Sequence, residues 1–286
     1  MTPSHKTSPK TLVVKLGGAE DVAHDSALRD IAQLRQDGTN VIVVHGGSAE
    51  ANRLGSDVGH PARTLTSPGG HSSRYTDPRT LDLFVMATAL VNRRLVGALQ
   101  GLGTNAMGLS GLDGALLRGK RKSAIRSVEN GRVRVIRDDW SGRIEAVEPG
   151  ILRTLTTAGL TPVIAPLAMT PEGSPLNVDG DRAASAVASA VGAEALVLLT
   201  GANGLYEEFP DETTRIETAR LHQMDELMGF AQGRMKRKVL AAGEALSGGV
   251  ERVMIAAASS ASPIMDALAG NGTTLLGSEE RAEVTS

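Results

Sequence analysis

Short apolar segments that end in glycine-rich turns recur along this 286-residue chain, and longer segments of helical periodicity separate them. Because most of the short segments are apolar on both faces, they predict strands buried in a parallel sheet that helices cover. The predicted strands are 11–16, 41–45, 105–109, 161–165, 195–200, 253–257 and 273–276. The predicted helices are 26–36, 80–100, 148–158, 181–191 and 236–247. This alternation assigns the chain to the α/β class.

The segment 121–145 interrupts the alternation. Residues 127–129 and 132–136 flank Asn130-Gly131, a pair that favours the positive φ angles of a type I′ turn. We therefore expect a β-hairpin inserted into the α/β core.

A proline-rich stretch divides the chain into two predicted lobes. Three prolines lie between residues 166 and 175, and we place the lobe boundary near Pro171. The polar segment 1–10 is expected to be a flexible N-terminus. The lobes are then 11–170 and 171–286.

Composition excludes several classes of protein. Hydrophobic residues make up 41% of the chain, but only one Trp, two Tyr and three Phe are present, so the core is expected to be aliphatic. A formal charge of −2 argues against bulk affinity for nucleic acid or anionic membranes. The sequence has no cysteine, which excludes disulfides, thiolate metal sites and a catalytic thiol. Since no signal peptide or long apolar run is recognisable, a cytoplasmic protein is expected.

Glycine pairs follow two of the predicted strands, as KLGG at 15–18 and VHGGS at 44–48. Backbone N–H groups of such turns can approach an anion closely at the carboxyl edge of a parallel sheet, and Lys15 adds a positive charge. The alternative is a plain turn with a solvated lysine. A lone His45 more often satisfies a backbone hydrogen bond than acts as a base. The histidines show no metal-ligand spacing, so no metal site is predicted.

Two later segments also carry clustered polar groups. NVDGD at 177–181 places three side chains with oxygen atoms before a helix, and Asp181 is well placed as its N-cap. The same oxygens could order a magnesium-bound phosphate or hold basic groups, and the two roles are compatible. In GRMKRKV at 233–239, only one or two of Lys236, Arg237 and Lys238 can face inward on a helix.

Six motifs occur in the order of the amino acid kinase family: VVKLGG, VVHGGS, SRYTDPRTL, GLSGLDG, NVDGDRAA and GRMKRKV. Together they cover nearly the whole chain, and they resemble the acetylglutamate kinase branch. The resemblance implies a three-layer α/β/α sandwich with a mostly parallel central sheet. It also implies transfer of a phosphoryl group from ATP, with Mg²⁺, to a carboxylate. A carboxylate is already an anion at pH 7 and needs no general base, which agrees with the lack of a convincing histidine dyad.

The resemblance also assigns roles to residues. Lys15 and Lys238 would be the catalytic lysines that flank the transferred phosphoryl group, and Asp181 would organise them. The acceptor substrate would contact Gly46, Gly47, Arg74 and Asn177. The phosphates and ATP would contact Gly17, Gly18, Thr200, Gly201 and Leu205. Lobe 11–170 would thus bind the acceptor and lobe 171–286 would bind ATP.

The sequence departs from ordinary acetylglutamate kinases in three places. In these places it resembles the kinases of lysine biosynthesis that act on 2-aminoadipate attached to LysW, an acidic amino-group carrier protein. The loop 63–73 is long, position 112 is Leu, and residues 118–143 carry nine basic side chains against three acidic ones. The basic side chains of Lys120, Arg121, Lys122 and Arg126 would form a patch that steers the carrier. A solvated hairpin face is the alternative explanation of these charges.

Other functions stay open on the sequence alone. The carried substrate could be aminoadipyl, glutamyl or both. The chain could instead be an N-acetylglutamate kinase that acts on the free amino acid, or a nucleotide-binding regulatory module without catalysis. The family suggests a homodimer.

Overall fold

The computed structural model describes residues 10–18, 24–69, 72–129 and 131–277. The strands are β1 (Thr11–Leu16), β2 (Asn40–His45), β3 (Thr64–Thr66), β4 (Ser72–Arg74), β5 (Ala106–Ser110), β6 (Leu117–Arg121), β7 (Ile125–Glu129), β8 (Arg132–Ile136), β9 (Gly142–Val147), β10 (Thr161–Ala165), β11 (Leu167–Met169), β12 (Pro175–Asn177), β13 (Ala195–Thr200), β14 (Thr218–Arg220), β15 (Arg252–Ala257) and β16 (Thr273–Leu276). The α-helices are α1 (Asp25–Gln36), α2 (Ser48–Asp57), α3 (Pro78–Gly101), α4 (Pro149–Thr157), α5 (Gly180–Val191), α6 (Met224–Phe230), α7 (Met235–Ser247) and α8 (Pro263–Leu268). Every predicted strand and helix is present, with small shifts at the ends.

The central sheet has eight strands in the order β14-β16-β15-β13-β1-β2-β10-β5. The six strands from β15 to β5 run parallel to one another, whereas β16 is antiparallel to β15. The seven predicted strands all lie in this sheet, and β14 completes it at one edge. The prediction of a mostly parallel α/β sheet is therefore confirmed.

Helices cover both faces of the central sheet. Along β1, Val13 packs into one apolar cluster with α5 and α7, while Val14 packs into a second cluster with α1, α3 and α8. Alternate residues of the same strand thus point into opposite cores, as expected for a strand between two layers. The result is the three-layer α/β/α sandwich that the resemblance implied.

The predicted hairpin is present as β7 and β8, which pair antiparallel with Val128 opposite Val133. Gly131 has a φ angle of 74°, as the predicted turn requires, and Asn130 lies outside the described residues. Strands β12-β11-β6-β9 form a second sheet that the hydrophobic pattern did not predict.

The predicted lobe boundary at Pro171 falls in the turn between β11 and β12. Strand β13, which follows that boundary, pairs with β1, so the central sheet is continuous across it. The division into two functional lobes stays a prediction, and the flexible segment expected at 1–10 lies outside the described residues except for Lys10. Among the described helices, none combines the length and the apolar character that a membrane span requires.

Candidate active site

The two glycine pairs lie side by side at the carboxyl edge of the central sheet. Lys15 of β1 is in register with Val44 of β2. A Cβ atom on Gly18 would lie 2.6 Å from the backbone N of Gly47, and one on Gly46 would lie 2.7 Å from Gly18. Only glycine allows the two turns to approach this closely, so their backbones form one continuous surface.

Three charged side chains meet above these turns. The Lys15 Nζ lies 2.8 Å from Asp181 Oδ1, and the Lys238 Nζ lies 3.1 Å from Oδ1 and 3.0 Å from Oδ2. Each of the three residues is 7% exposed. Residues far apart in sequence, from β1, α5 and α7, therefore form one nearly buried cluster.

The cluster carries two positive charges and one negative charge. Burial opposes the charged form of Asp181, but the ammonium groups of Lys15 and Lys238 outweigh it and hold the pKa of the carboxyl well below its usual range. Burial lowers the pKa of Lys238, and Asp181 opposes that change. Since one carboxylate neutralises only one of two cations, the site has an excess positive charge that an anion can compensate.

The turn before α5 holds Asp181 in place. Asp179 is the N-cap of the helix, and its Oδ1 accepts hydrogen bonds from the backbone N of Asp181 at 3.0 Å and of Arg182 at 3.1 Å. The expectation that Asp181 caps the helix is therefore wrong, because α5 begins at Gly180, two residues before the start that a cap at Asp181 would give. The Asp181 side chain is thereby left available for the two lysines.

Helix α7 turns one of its three basic residues inward. Lys238 is buried, whereas Lys236 and Arg237 are partly exposed. The Arg237 Nη1 lies 3.5 Å from Asp179 Oδ2, so the residue that caps α5 also pairs with the first turn of α7. This Asp179–Arg237 pair was not predicted from the sequence.

His45 is a buried structural residue beneath the second glycine turn. Its Nδ1 lies 2.8 Å from the Gly46 carbonyl oxygen, and its Nε2 lies 3.1 Å from Asn92 Nδ2. The amide of Asn92 donates to Nε2, so Nδ1 carries the proton and donates to Gly46. Burial lowers the pKa of His45 to about 4. The imidazole is neutral at pH 7, and both of its nitrogens are engaged.

A second histidine lies near Lys15 and was not predicted as a site residue. For His24, at the start of α1, burial and then the Lys15 charge lower the pKa, while the Gly17 carbonyl raises it. No pattern of spacing in the sequence connects His24 with the site.

Of the other predicted acceptor residues, Arg74 lies beside the second glycine turn and Asn177 is the last residue of β12. The Arg74 Nη2 donates to the Ser48 carbonyl at 3.1 Å and to Asn52 Oδ1 at 2.5 Å, which places the guanidinium at the N-terminal turn of α2. The Asn177 Nδ2 donates to Thr76 Oγ1 at 2.9 Å. Burial lowers the pKa of Arg74, which still leaves it charged at neutral pH.

Three of the predicted ATP residues lie at the end of β13 or after it, and they differ in environment. Thr200 ends the strand, Gly201 is exposed, and both lie at the same sheet edge as Lys15, whose neighbour in β13 is Leu198. Leu205 is only 2% exposed, and its backbone N donates a hydrogen bond to Thr273 Oγ1. Thr200 and Gly201 are therefore accessible to a ligand, whereas Leu205 belongs to the hydrophobic core.

The predicted basic patch contains two kinds of residue. Lys120, Lys122 and Arg126 are exposed. Arg121 is half-buried, and its guanidinium lies 4.1 Å above the ring of Trp140. The patch is therefore not uniform, because Arg121 is already engaged within the protein.

Among the described residues, no group of three or more His, Asp or Glu side chains could hold a metal ion. Both oxygens of Asp181 contact lysines rather than an open space.

Comparison with known proteins supports the fold and the motifs. Residues 10–257 match the amino acid kinase family. The "[LysW]-aminoadipate kinase" of Deinococcus radiodurans is 47% identical over 92% of this chain and 91% of its own length. The protein of the same name from Thermus thermophilus is 46% identical over 92% of this chain and 99% of its own. A "Putative [LysW]-aminoadipate/[LysW]-glutamate kinase" of Cenarchaeum symbiosum is 39% identical over 93% of this chain and 99% of its own.

Solved structures share the fold at lower identity. N-acetylglutamate synthase from Neisseria gonorrhoeae superposes with a TM-score of 0.76 and 26% identity, over 94% of this chain. The chain spans 60% of the length of that synthase. Carbamate kinase from Giardia lamblia superposes with a TM-score of 0.66 and 18% identity, over 95% of this chain and 99% of its own.

Proposed function

The chain belongs to the amino acid kinase family, and on that basis we propose that it phosphorylates the terminal carboxylate of 2-aminoadipate carried on LysW. The product is an acyl phosphate of lysine biosynthesis, formed in the cytoplasm, where ATP is available. Two relatives at 46% and 47% identity carry this activity in their names. The 39% relative is named for the glutamyl form as well, so the glutamyl conjugate is a second candidate substrate.

The observation that carries the proposal is the convergence of Lys15 and Lys238 on one carboxylate. In phosphoryl transfer an acceptor oxygen bonds to the γ-phosphorus while the bond to the bridging oxygen of ADP breaks. Negative charge spreads over the moving group, and catalysis depends mainly on positioning and on electrostatic stabilisation. Two ammonium groups held 2.8 to 3.1 Å from Asp181 are preorganised donors of this kind.

The glycine turns complement the lysines. Because no side chain fits between the turns, the phosphates of ATP can approach the backbone N–H groups that follow β1, and the acceptor can approach those that follow β2. Mg²⁺ would arrive with the phosphates of ATP and neutralise part of their charge, because both Asp181 oxygens already contact lysines. Thr200 and Gly201 would contact the nucleotide.

Arg74 and Asn177 would hold the acceptor. The Arg74 guanidinium sits at the start of α2, where the helix dipole adds to its positive charge, so this position suits the α-carboxylate of the substrate. The exposed cations Lys120, Lys122 and Arg126 would attract the acidic carrier. Neutral His45 takes no part in proton transfer, in agreement with an acceptor that is already an anion.

An assay with separate acceptors tests the proposal. Purified protein, ATP and Mg²⁺ are incubated with LysW-bound 2-aminoadipate, LysW-bound glutamate, free N-acetylglutamate or free N-acetylaminoadipate. Hydroxylamine then traps any acyl phosphate as a hydroxamate. We expect hydroxamate and stoichiometric ADP with the aminoadipyl conjugate. Turnover of a free acceptor alone would identify an acetylamino acid kinase, and no hydroxamate with any acceptor would favour the regulatory module.

We also propose a homodimer formed through α3 and β5. Strand β5 is the last strand at one edge of the central sheet. Beside it, Met86 and Leu90 of α3 are 52% and 39% exposed, and Met107 of β5 is 42% exposed. An apolar surface next to an open sheet edge suits a second copy of the chain.

A further inference from the structure

We propose that Arg121 is a positioning residue, which acts on the acceptor site through the segment 137–141 rather than by contacting the carrier. The 137–141 segment connects β8 of the hairpin to β9, and it lies between Arg121 and the residues Thr76 and Asn177. The inference deepens the proposed function, since it concerns the acceptor side of the same site.

Asp139 anchors the 137–141 segment to the chain that follows the strand with the predicted acceptor residue Arg74. Its side chain is 1% exposed. The Oδ2 accepts a hydrogen bond from the backbone N of Thr76 at 2.9 Å, and the Oδ1 accepts one from the backbone N of Ser141 at 2.8 Å. Thr76 lies two residues after Arg74, so the position of Asp139 fixes the chain that leads away from Arg74.

Trp140 joins the segment to the other predicted acceptor residue. Its backbone N donates to the Thr76 carbonyl at 2.6 Å, and its backbone carbonyl accepts from the backbone N of Asn177 at 3.0 Å. The Asn177 side chain closes the connection by donating to Thr76 Oγ1 at 2.9 Å. The main chain at Trp140 is therefore hydrogen-bonded on one side to Thr76 and on the other to Asn177.

A further contact joins the segment to the chain next to Arg74. The hydroxyl of Tyr75 donates to Asp138 Oδ2 at 2.5 Å. Burial and then this contact with Asp138 raise the pKa of Tyr75 to about 12, so the phenol keeps its proton across the neutral range. The 137–141 segment is thus held to the acceptor side by side-chain and main-chain contacts together.

Arg121 fixes the opposite face of the segment. Its Nε donates to the Asp139 carbonyl and its Nη2 to the Arg137 carbonyl, both at 2.7 Å. The guanidinium also stacks on the ring of Trp140 at 4.1 Å. A planar fork is needed to reach two carbonyls and a ring at once, and a lysine ammonium lacks that shape.

The neighbours of Arg121 provide the contrast. Within the described part of the chain, Lys120, Lys122 and Arg126 make no hydrogen bond or ion pair through their side chains, and all three are exposed. If all four residues only attracted the carrier, replacing Arg121 by Lys would preserve the charge and the function. If Arg121 positions the 137–141 segment, the same replacement would disturb Thr76 and Asn177.

The test compares Arg121→Lys and Arg121→Met with Lys120→Met as the matched control. Trp140 is the only tryptophan of the chain, so its fluorescence reports on the segment directly. We expect both Arg121 variants to shift the Trp140 emission and to speed amide exchange in the peptides that contain Thr76 and Asn177. We expect Lys120→Met to leave the emission and the exchange unchanged.

Kinetics with LysW-bound 2-aminoadipate complete the test. Both Arg121 variants are expected to lower kcat by on the order of 10- to 100-fold, at low and at high salt, because a small displacement of a positioned substrate is costly. Lys120→Met is expected to raise KM only, and less so at high salt. Near-native kcat, emission and exchange in Arg121→Lys would overturn the inference. If the wild-type protein does not use the carrier conjugate, the proposed function fails, whereas fluorescence and exchange still decide the role of Arg121.

Discussion

The carboxylate of Asp181 faces two ammonium groups within one nearly buried cluster, and its removal would leave both without a counter-charge. We expect Asp181→Asn to lower the free energy of unfolding by about 3 to 5 kcal/mol, the usual cost of leaving a buried charge uncompensated. Urea unfolding measures this loss. Asp57→Asn is the matched control, because Asp57 pairs with Arg53 on an exposed face and its change should cost about 1 kcal/mol or less. Equal losses in the two variants would contradict the role given to Asp181.

The neutral imidazole of His45 makes stability depend on pH. Its pKa is about 4 in the folded chain and 6.5 in the unfolded chain. Between these values the unfolded chain binds the proton and the folded chain does not, so stability is full above pH 6.5 and falls as the pH drops towards 4. The difference is equivalent to about 3 kcal/mol. Urea unfolding at pH 7.5, 5.5 and 4.5 should show a smaller loss for His45→Gln than for the wild type, whereas equal losses would exclude His45 as the cause.

The sequence indicated the participants in the active site but not their arrangement. KLGG and NVDGD singled out Lys15 and Asp181, but a plain turn and a helix cap were structural alternatives, and the resemblance to the amino acid kinase family assigned the roles of the two residues. The spacing in GRMKRKV could not select Lys238 from its neighbours, since the face of a helix that turns inward depends on what packs against it. The contacts of Arg121 with Trp140 and of Asp179 with Arg237 depend on tertiary structure, and no local sequence pattern predicts them.

The contact between the two glycine turns depends on how closely the ends of strands β1 and β2 approach each other, and not on a single side chain. A methyl group on Gly18 would meet the Gly47 backbone at 2.6 Å, so the ends of β1 and β2 would have to separate. We expect Gly18→Ala to lower kcat by about 10²-fold, the order found when an oriented donor is lost, and to lower stability as well. Steady-state assay and thermal unfolding measure the two effects.

The control is Gly97→Ala in α3, where a Cβ meets nothing within 4 Å. This variant should raise stability by about 0.5 to 1 kcal/mol and leave kcat unchanged. Native turnover in Gly18→Ala would refute the close approach.

The strands of the central sheet were predictable because they are apolar on both faces. This pattern can be recognised in the sequence without knowing which strands are neighbours. Strands β6 and β9 were missed, since both are rich in polar residues and glycine, no residue of β9 is buried, and a register shift interrupts their pairing between Arg118 and Gly119. The hydrophobic pattern sets no bounds for helix α2, because this helix buries only Ala51 and Gly55, too few residues to form a periodic apolar stripe. The elements that line the acceptor side are therefore the ones that the hydrophobic pattern describes least well.

The whole molecule presents an open sheet edge and an apolar helix face on the same side. We expect the wild-type protein to have the mass of a dimer in light scattering coupled to size-exclusion chromatography, and Met86→Glu with Leu90→Glu to have the mass of a monomer. The control is Leu240→Glu on α7, an equally exposed leucine away from this surface, which should stay dimeric. Dissociation by Leu240→Glu but not by the α3 variant would place the interface elsewhere.

The central sheet brings β1 and the helices α5 and α7 together, and the proposed chemistry depends on that meeting of distant parts of the chain. The most direct measurement is the kcat of Lys15→Ala, Lys238→Ala and the double variant with LysW-bound 2-aminoadipate, alongside circular dichroism of each protein. Each single variant should stay folded and lose at least about 10²- to 10³-fold in kcat. The double variant should lose much less than the product of the two single losses, because residues that act as a unit are not additive. A folded single variant with near-native kcat would contradict the joint action of the two lysines on the transferred phosphoryl group.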